Sequence, residues 1–151
     1  MGAVTHRSAP VPSDHSVGMV LKRADQSLLR AKSTAIKPSG LTLPQYVALA
    51  ELDRHPGVTA AALARACLVT PQAMTVALTS MQEQGLIERS PHPRHHNVLE
   101  VRLTDVGRQA LDAARRRAEP VEQRIAHEFS AEELISLRSM LVRFIEAVET
   151  G

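Results

Sequence analysis

Apolar residues between positions 14 and 38 recur at alternating steps of four and three: Val17, Leu21, Ala24, Leu28, Ala31 and Ala35. That spacing lines one face of a helix. The helix is expected to start near Asp14, with Ser13 or Asp14 as its cap, and to stop at Pro38, Ser39 and Gly40. Thr42 and Gln45 stand at capping-box spacing and predict a second helix, with Tyr46, Leu49 and Leu52 as its buried row and His55-Pro56-Gly57 as its end. Thr59 then caps a short helix over 60–67. Thr70 caps another, with Pro71 at the first position, where a missing N–H costs nothing. This helix runs to about Gln84, and Gly85 supplies the left-handed residue after it.

The period then changes. Two β-rich runs, 86–90 and 98–103, flank Pro91-His92-Pro93-Arg94-His95-His96-Asn97, so a hairpin with a histidine-rich tip is expected. Thr104 caps a long helix from Asp105, which Pro120 is expected to kink or interrupt. Ser130 and Glu133 form a second capping box, and Leu134, Leu137, Leu141, Phe144, Ile145 and Val148 stripe the last helix. The pattern predicts a mainly α fold with a small β-hairpin wing. A helix-turn-helix lobe over 41–104 lies between end helices, 14–38 and 105–149, within a single domain spanning 14–151. Residues 1–13 lack periodicity and read as a flexible arm.

The chain has 151 residues, 44% of them apolar but only 2% aromatic, so the core must be built from aliphatic side chains and Met. The stripes on the end helices exceed what the middle lobe can cover, and a second copy of the chain is expected to bury the remainder. A net charge of +2 permits a nucleic-acid partner without requiring one, so the placement of charge carries more weight than its total. The single cysteine, Cys67, excludes an internal disulfide and suits a reducing compartment. No apolar run reaches the roughly 18 residues of a membrane span, and no apolar core follows basic residues at the N-terminus. A cytoplasmic protein with no membrane partner is expected.

The helix at 71–84 carries the most specific chemistry. Met74, Leu78 and Met81 repeat at four and three and should face the core. Gln72, Thr75, Val76, Thr79 and Ser80 then project outward. Gln can pair bidentately with adenine, Thr can reach a base edge or phosphate, and Val or a Thr methyl can meet the thymine methyl. Thr70 and Pro71 open the helix, whose free N–H groups face phosphate. This helix contains no Lys or Arg, so electrostatic grip must come from Arg65 on the preceding helix and from Arg89, Arg94 and Arg102 on the hairpin, with His95 and His96 beside Arg94. An arginine at a wing tip suits a narrow, electronegative minor groove.

Residues from about 41 to 111 resemble the multiple-antibiotic-resistance-regulator (MarR) family of winged-helix repressors. The matching stretches are LTLPQYVALAEL, LARACLVTPQAMTVALTSMQEQGLIER and VLEVRLTDVGRQAL. The resemblance implies a homodimer knit by the first and last helices, bound to a palindromic operator. In many members it also implies release by a small-molecule effector, in a cavity involving the first, second and fifth helices. Here those helices carry Leu28, Leu49, Leu52 and Ala110. The family's Asp-x-Arg wing motif is absent: those positions read His95 and Asn97, leaving Arg94 or His96 as substitute. Val76 and Ser80 stand where family reading helices often carry Arg.

Other signals read plainly. His92, His95 and His96 lack a nearby Cys or carboxylate to complete tetrahedral zinc, so neither a metal nor any other cofactor is expected, and the loop reads as facing DNA or solvent. Cys67 falls on the buried face of its short helix and reads as inert packing. Arg115-Arg116-Arg117 reads as a solvated helix face. No GxSxG, phosphate-cradling glycine loop or HExxH occurs, so an enzyme is not expected. The alternative to a sequence-specific regulator is a winged-helix architectural or protein-interaction module.

Overall fold

The computed structural model describes residues 16–150. The expected arm over 1–13 and the cap candidates Ser13 and Asp14 lie outside them. Helix α1 spans Val17–Ile36, and its cap is Ser16, whose hydroxyl accepts from Met19 N at 3.2 Å. The helix therefore starts at the first residue of the apolar row, Val17, and not near Asp14 as expected. A single 3₁₀ turn at Lys37–Ser39 and the left-handed Gly40 end it. Helix α2 (Leu43–Arg54) carries the expected capping box: Gln45 N donates to Thr42 Oγ1, and Thr42 N donates to Gln45 Oε1. Its buried row includes Ala48 with Leu49 and Leu52, while Tyr46 is only half-buried.

A two-residue strand, β1 (Val58–Thr59), precedes α3 (Ala60–Ala66) and α4 (Pro71–Glu83). Strands β2 (Ile87–Pro91) and β3 (Leu99–Leu103) form the hairpin. The sheet is three-stranded and antiparallel in the order β1-β3-β2, with Arg89 opposite Val101 and Ser90 opposite Glu100. β1 carries no local signal, because two residues show no period. It exists through its pairing with β3, Val58 to Val101.

Helix α5 (Asp105–Glu128) runs through Pro120 without interruption. The expected interruption is absent, and Arg116, Arg117, Glu119 and Pro120 all lie on an exposed stretch of the helix, where the loss of one N–H to the Arg116 carbonyl is tolerated. Helix α6 (Ala131–Glu149) follows, with the Ser130–Glu133 capping box in place.

The core lies where α2, α3, α4, the sheet and the first half of α5 meet the end of α1. Ile36, Leu49, Leu52, Leu63, Leu78, Met81, Val101 and Leu111 are almost wholly buried. Each large aliphatic side chain there contributes about 1.5–3 kcal/mol of burial. Gly107 lets α5 approach this core, since a Cβ at that position would collide with the Leu86 carbonyl. The ends of the chain differ: α6 has no buried residue and α1 has only Ile36. Val17, Val20, Ile135, Met140, Ile145 and Val148 are all more than half exposed. No single helix among the described residues is long and apolar enough to cross a membrane.

Candidate nucleic-acid interface

Helices α3 and α4 meet at 111° across a four-residue turn, Cys67-Leu68-Val69-Thr70. This is helix-turn-helix geometry. The turn closes on backbone bonds from Leu68 N to Arg65 O at 3.2 Å and from Val69 N to Ala64 O at 3.0 Å. Leu68 adopts a left-handed φ of 56° and is 93% exposed, a conformation usually left to Gly or Asn. Thr70 caps α4 by accepting from Ala73 N at 3.2 Å.

The face of α4 is as expected on its inner side: Met74, Leu78 and Met81 are buried. On the outer side Thr70, Pro71, Gln72, Thr75, Val76 and Thr79 are exposed, and Ser80 is half-buried. The hydroxyls are not idle. Thr75 Oγ1 donates to the Pro71 carbonyl at 2.9 Å, and Thr79 Oγ1 donates to the Thr75 carbonyl at 3.0 Å. Ser80 Oγ accepts from Gln84 Nε2 at 2.9 Å. With their protons committed to the helix, Thr75 and Thr79 offer outward a lone pair and a methyl. Together with Val76, 71% exposed, they make an apolar strip flanked by Gln72.

The basic residues divide. Arg65 and Arg94 are exposed, as are His95 and His96. Arg89 reaches from β2 to α4, where its Nη2 donates to Thr79 Oγ1 at 3.5 Å, and its buried Nε has no partner among the described residues. Arg102 is exposed, but one of its guanidinium nitrogens is engaged: Nη2 donates to Glu100 Oε2 at 2.7 Å. Gly57 makes room for that pair, because a Cβ there would lie 2.5 Å from Arg102 Nη2. Arg115, expected on a solvated face, instead pairs with Asp53 at 2.8 Å. The neighbouring guanidinium lowers the Asp53 pKa, with Arg108 adding to the effect against partial desolvation.

The hairpin loop holds a residue whose role sequence reasoning missed. His92 turns inward: its Nε2 faces Glu100 Oε1 at 3.4 Å, while its Nδ1 accepts from Arg94 N at 3.1 Å and His95 N at 3.2 Å. The signal available was the strand period, which places Ser90, His92 and Glu100 on one side of the hairpin.

An apolar cavity of about 650 Å³ lies beside α4, walled by α1, α2 and the helix-turn-helix itself. Leu29, Leu43, Val47, Val69, Met74 and Ala77 line it, and it contains no charged side chain. This cavity involves the first and second helices but not the fifth, and none of Leu28, Leu49, Leu52 and Ala110 lines it. Leu49 and Leu52 are core, Ala110 packs against the core, and Leu28 lines a separate cleft with Val121 and Ile125. Cys67, half-buried rather than buried, lines the cavity, and its thiol pKa is raised by desolvation and by Glu51.

A bent helix pair with a neutral outward face, followed by an antiparallel hairpin with an arginine at its tip, defines a winged helix-turn-helix DNA-binding protein. Residues 39–96 match the MarR family profile. The chain is 32% identical over 128 residues to the HTH-type transcriptional repressor Rv2887 of Mycobacterium tuberculosis, an alignment covering 85% of this chain and 92% of that protein. The crystal structure of Rv2887 in complex with p-aminosalicylic acid superposes with a TM-score of 0.67 at 31% identity, covering 85% of this chain and 98% of that one. Mutant MarR from Escherichia coli, complexed with operator DNA, shares the fold at a TM-score of 0.78 and 21% identity, covering 85% of this chain and 92% of that one. The chain belongs to the MarR family of transcriptional regulators. It is a DNA-binding regulator and not an enzyme.

Proposed function

We propose that this regulator is a cytoplasmic repressor that binds a palindromic operator as a homodimer. The observation that carries the reading is the outer face of α4, where Gln72, Thr75, Val76 and Thr79 are exposed on a capped helix. This helix enters the major groove, reading adenine through Gln72 and thymine methyls through Val76 and the threonines. Thr70 and Pro71 bring the helix N-terminus to phosphate, and Ser80 lies at the margin of the contact. Arg65 and Arg89 meet the backbone, and Arg94, flanked by His95 and His96, enters the adjacent minor groove.

Helices α1, α5 and α6 form the dimer interface, which spaces the two reading helices roughly 34 Å apart, one turn of DNA. The apolar side chains of α1 and α6, exposed in one chain, support this assignment. A small-molecule effector occupying the cavity behind Met74 and Ala77 releases the operator, since it contacts the reading helix from behind. It acts only through a difference in affinity between DNA-compatible and incompatible geometries.

The test is titration of the protein onto DNA from upstream of its own gene and onto a scrambled duplex, at several salt concentrations, with native mass measured alongside. Dimeric binding that prefers the upstream duplex supports the reading. Equal, steeply salt-dependent binding to both would instead leave phosphate contacts alone, as in an architectural module.

A further inference from the structure

We propose that His92 positions the wing, its Nδ1 taking the loop-capping place that a side-chain carboxylate or amide oxygen ordinarily fills, so that the Arg94 guanidinium is presented to DNA. The inference rests on the wing contact proposed above. It concerns how this chain, without the Asp-x-Arg pattern, builds a wing at all.

The loop between β2 and β3 is closed by two backbone bonds, His92 N to Val98 O and Val98 N to His95 O, each 2.8 Å. These leave the N–H groups of Arg94 and His95 pointing into the loop with no carbonyl to meet. His92 Nδ1 takes both, at 3.1 and 3.2 Å. An acceptor serving N–H groups two and three residues further on is the arrangement an Asp or Asn side chain makes in a turn. An imidazole can do this only with Nδ1 unprotonated, which places the ring proton on Nε2.

The surroundings hold that tautomer. Glu100, 7% exposed, points Oε1 at Nε2, while its other oxygen is fixed by Arg102 in the space that Gly57 leaves. The chain of contacts runs from the sheet floor (Arg102, Glu100) through the ring to the backbone of Arg94. The His95 ring lies tilted against His92, with centroids 5.2 Å apart, and closes the outer side. The Arg94 side chain is exposed at the loop tip and can reach outward.

The test is a set of four variants on the upstream duplex: His92→Ala, His92→Asn, Arg94→Ala and the double His92→Ala/Arg94→Ala, with thermal unfolding as a check on folding. His92→Ala is expected to weaken binding about tenfold, the scale of two lost hydrogen bonds. His92→Asn is expected to stay within about twofold of wild type, because Oδ1 accepts the same N–H groups. A residue that merely filled space would not be rescued by the smaller amide. In the Arg94→Ala background, His92→Ala should cost little more, since the two act as one unit. Full affinity in His92→Ala, failure of His92→Asn to rescue, or strict additivity with Arg94→Ala would each overturn the role of His92. An Arg94→Ala protein with unchanged affinity would overturn the wing contact itself, and its result is read separately.

Discussion

Asp53, on α2, receives Arg115 of α5 at 2.8 Å on one carboxylate oxygen, and its other oxygen takes Arg108 at 2.7 Å. One acidic residue thus ties the DNA-binding lobe to two successive turns of the long helix that leads to α6. Asp53→Asn should lower stability by about 1 kcal/mol, modest because the pair is partly exposed. The Asp53 pKa is depressed in the folded state, chiefly by the Arg115 hydrogen bond. Its stabilisation is therefore complete above the ordinary carboxylate range and lost as pH falls below about 4. Urea midpoints at pH 7 and pH 3 check this: the gap between wild type and Asp53→Asn should be smaller at the latter.

Gly107 sits where α5 crosses the start of the hairpin, and an added Cβ would run into the Leu86 carbonyl. Backbone cannot swing aside as a flexible side chain can. Gly107→Ala should destabilise by about 1–3 kcal/mol despite the better helix propensity of Ala. Calorimetry reads the result, and an unchanged or raised Tm would show that α5 can shift at no cost.

Thr75 and Thr79 commit their hydroxyl protons to the helix, so in the proposed interface they meet bases chiefly through their methyl groups. Replacing thymine by uracil at the contacted operator positions should cost about 0.8 kcal/mol each, the value of one buried methyl-sized group. Val76→Ala should cost a similar amount without altering the salt dependence. Arg94→Ala should instead reduce the salt slope by about one per wing.

Because desolvation and Glu51 raise the Cys67 pKa, little thiolate is present near neutrality. Peroxide should inactivate DNA binding at the same dose in wild type and Cys67→Ser. A protective effect of the substitution would mark Cys67 as a sensor.

The cavity beside α4 contains no charge to meet an anion. Burying an unpaired carboxylate there costs several kcal/mol. A neutral aromatic amide should therefore bind at least about tenfold tighter than the matching carboxylate by calorimetry, and Ala77→Phe should abolish the difference by filling the site. Tighter binding of the carboxylate would mean that a cation reaches the cavity.

Much of this architecture is written locally. The Thr42–Gln45 and Ser130–Glu133 boxes, the Thr70-Pro71 start of α4 and the Met74–Leu78–Met81 row all depend on residues within one or two turns, and all appear as read. The hairpin emerged within a residue at each end. What sequence concealed depends on partners far along the chain. β1 exists because Val58 meets Val101, Arg115 pairs with Asp53, and Arg102 pairs with Glu100. The His92 ring looked like one of three equivalent imidazoles, and only the register of the hairpin singles it out. Of the kink or interruption expected at Pro120, the interruption is absent, since α5 is continuous through it.

Helix α6 buries none of its nineteen residues against its own chain. An amphipathic helix of that length gains little from propensity alone in water. In the proposed homodimer its share of the folding free energy is collected when two chains meet, which makes that share a function of concentration: each tenfold dilution removes about 1.4 kcal/mol from a dimer. A repressor built this way counts its own copies. At low expression the operator-binding species disappears as the square of the chain concentration, so a gene under its control would switch over a narrower range of protein than a monomeric reader of the same site allows.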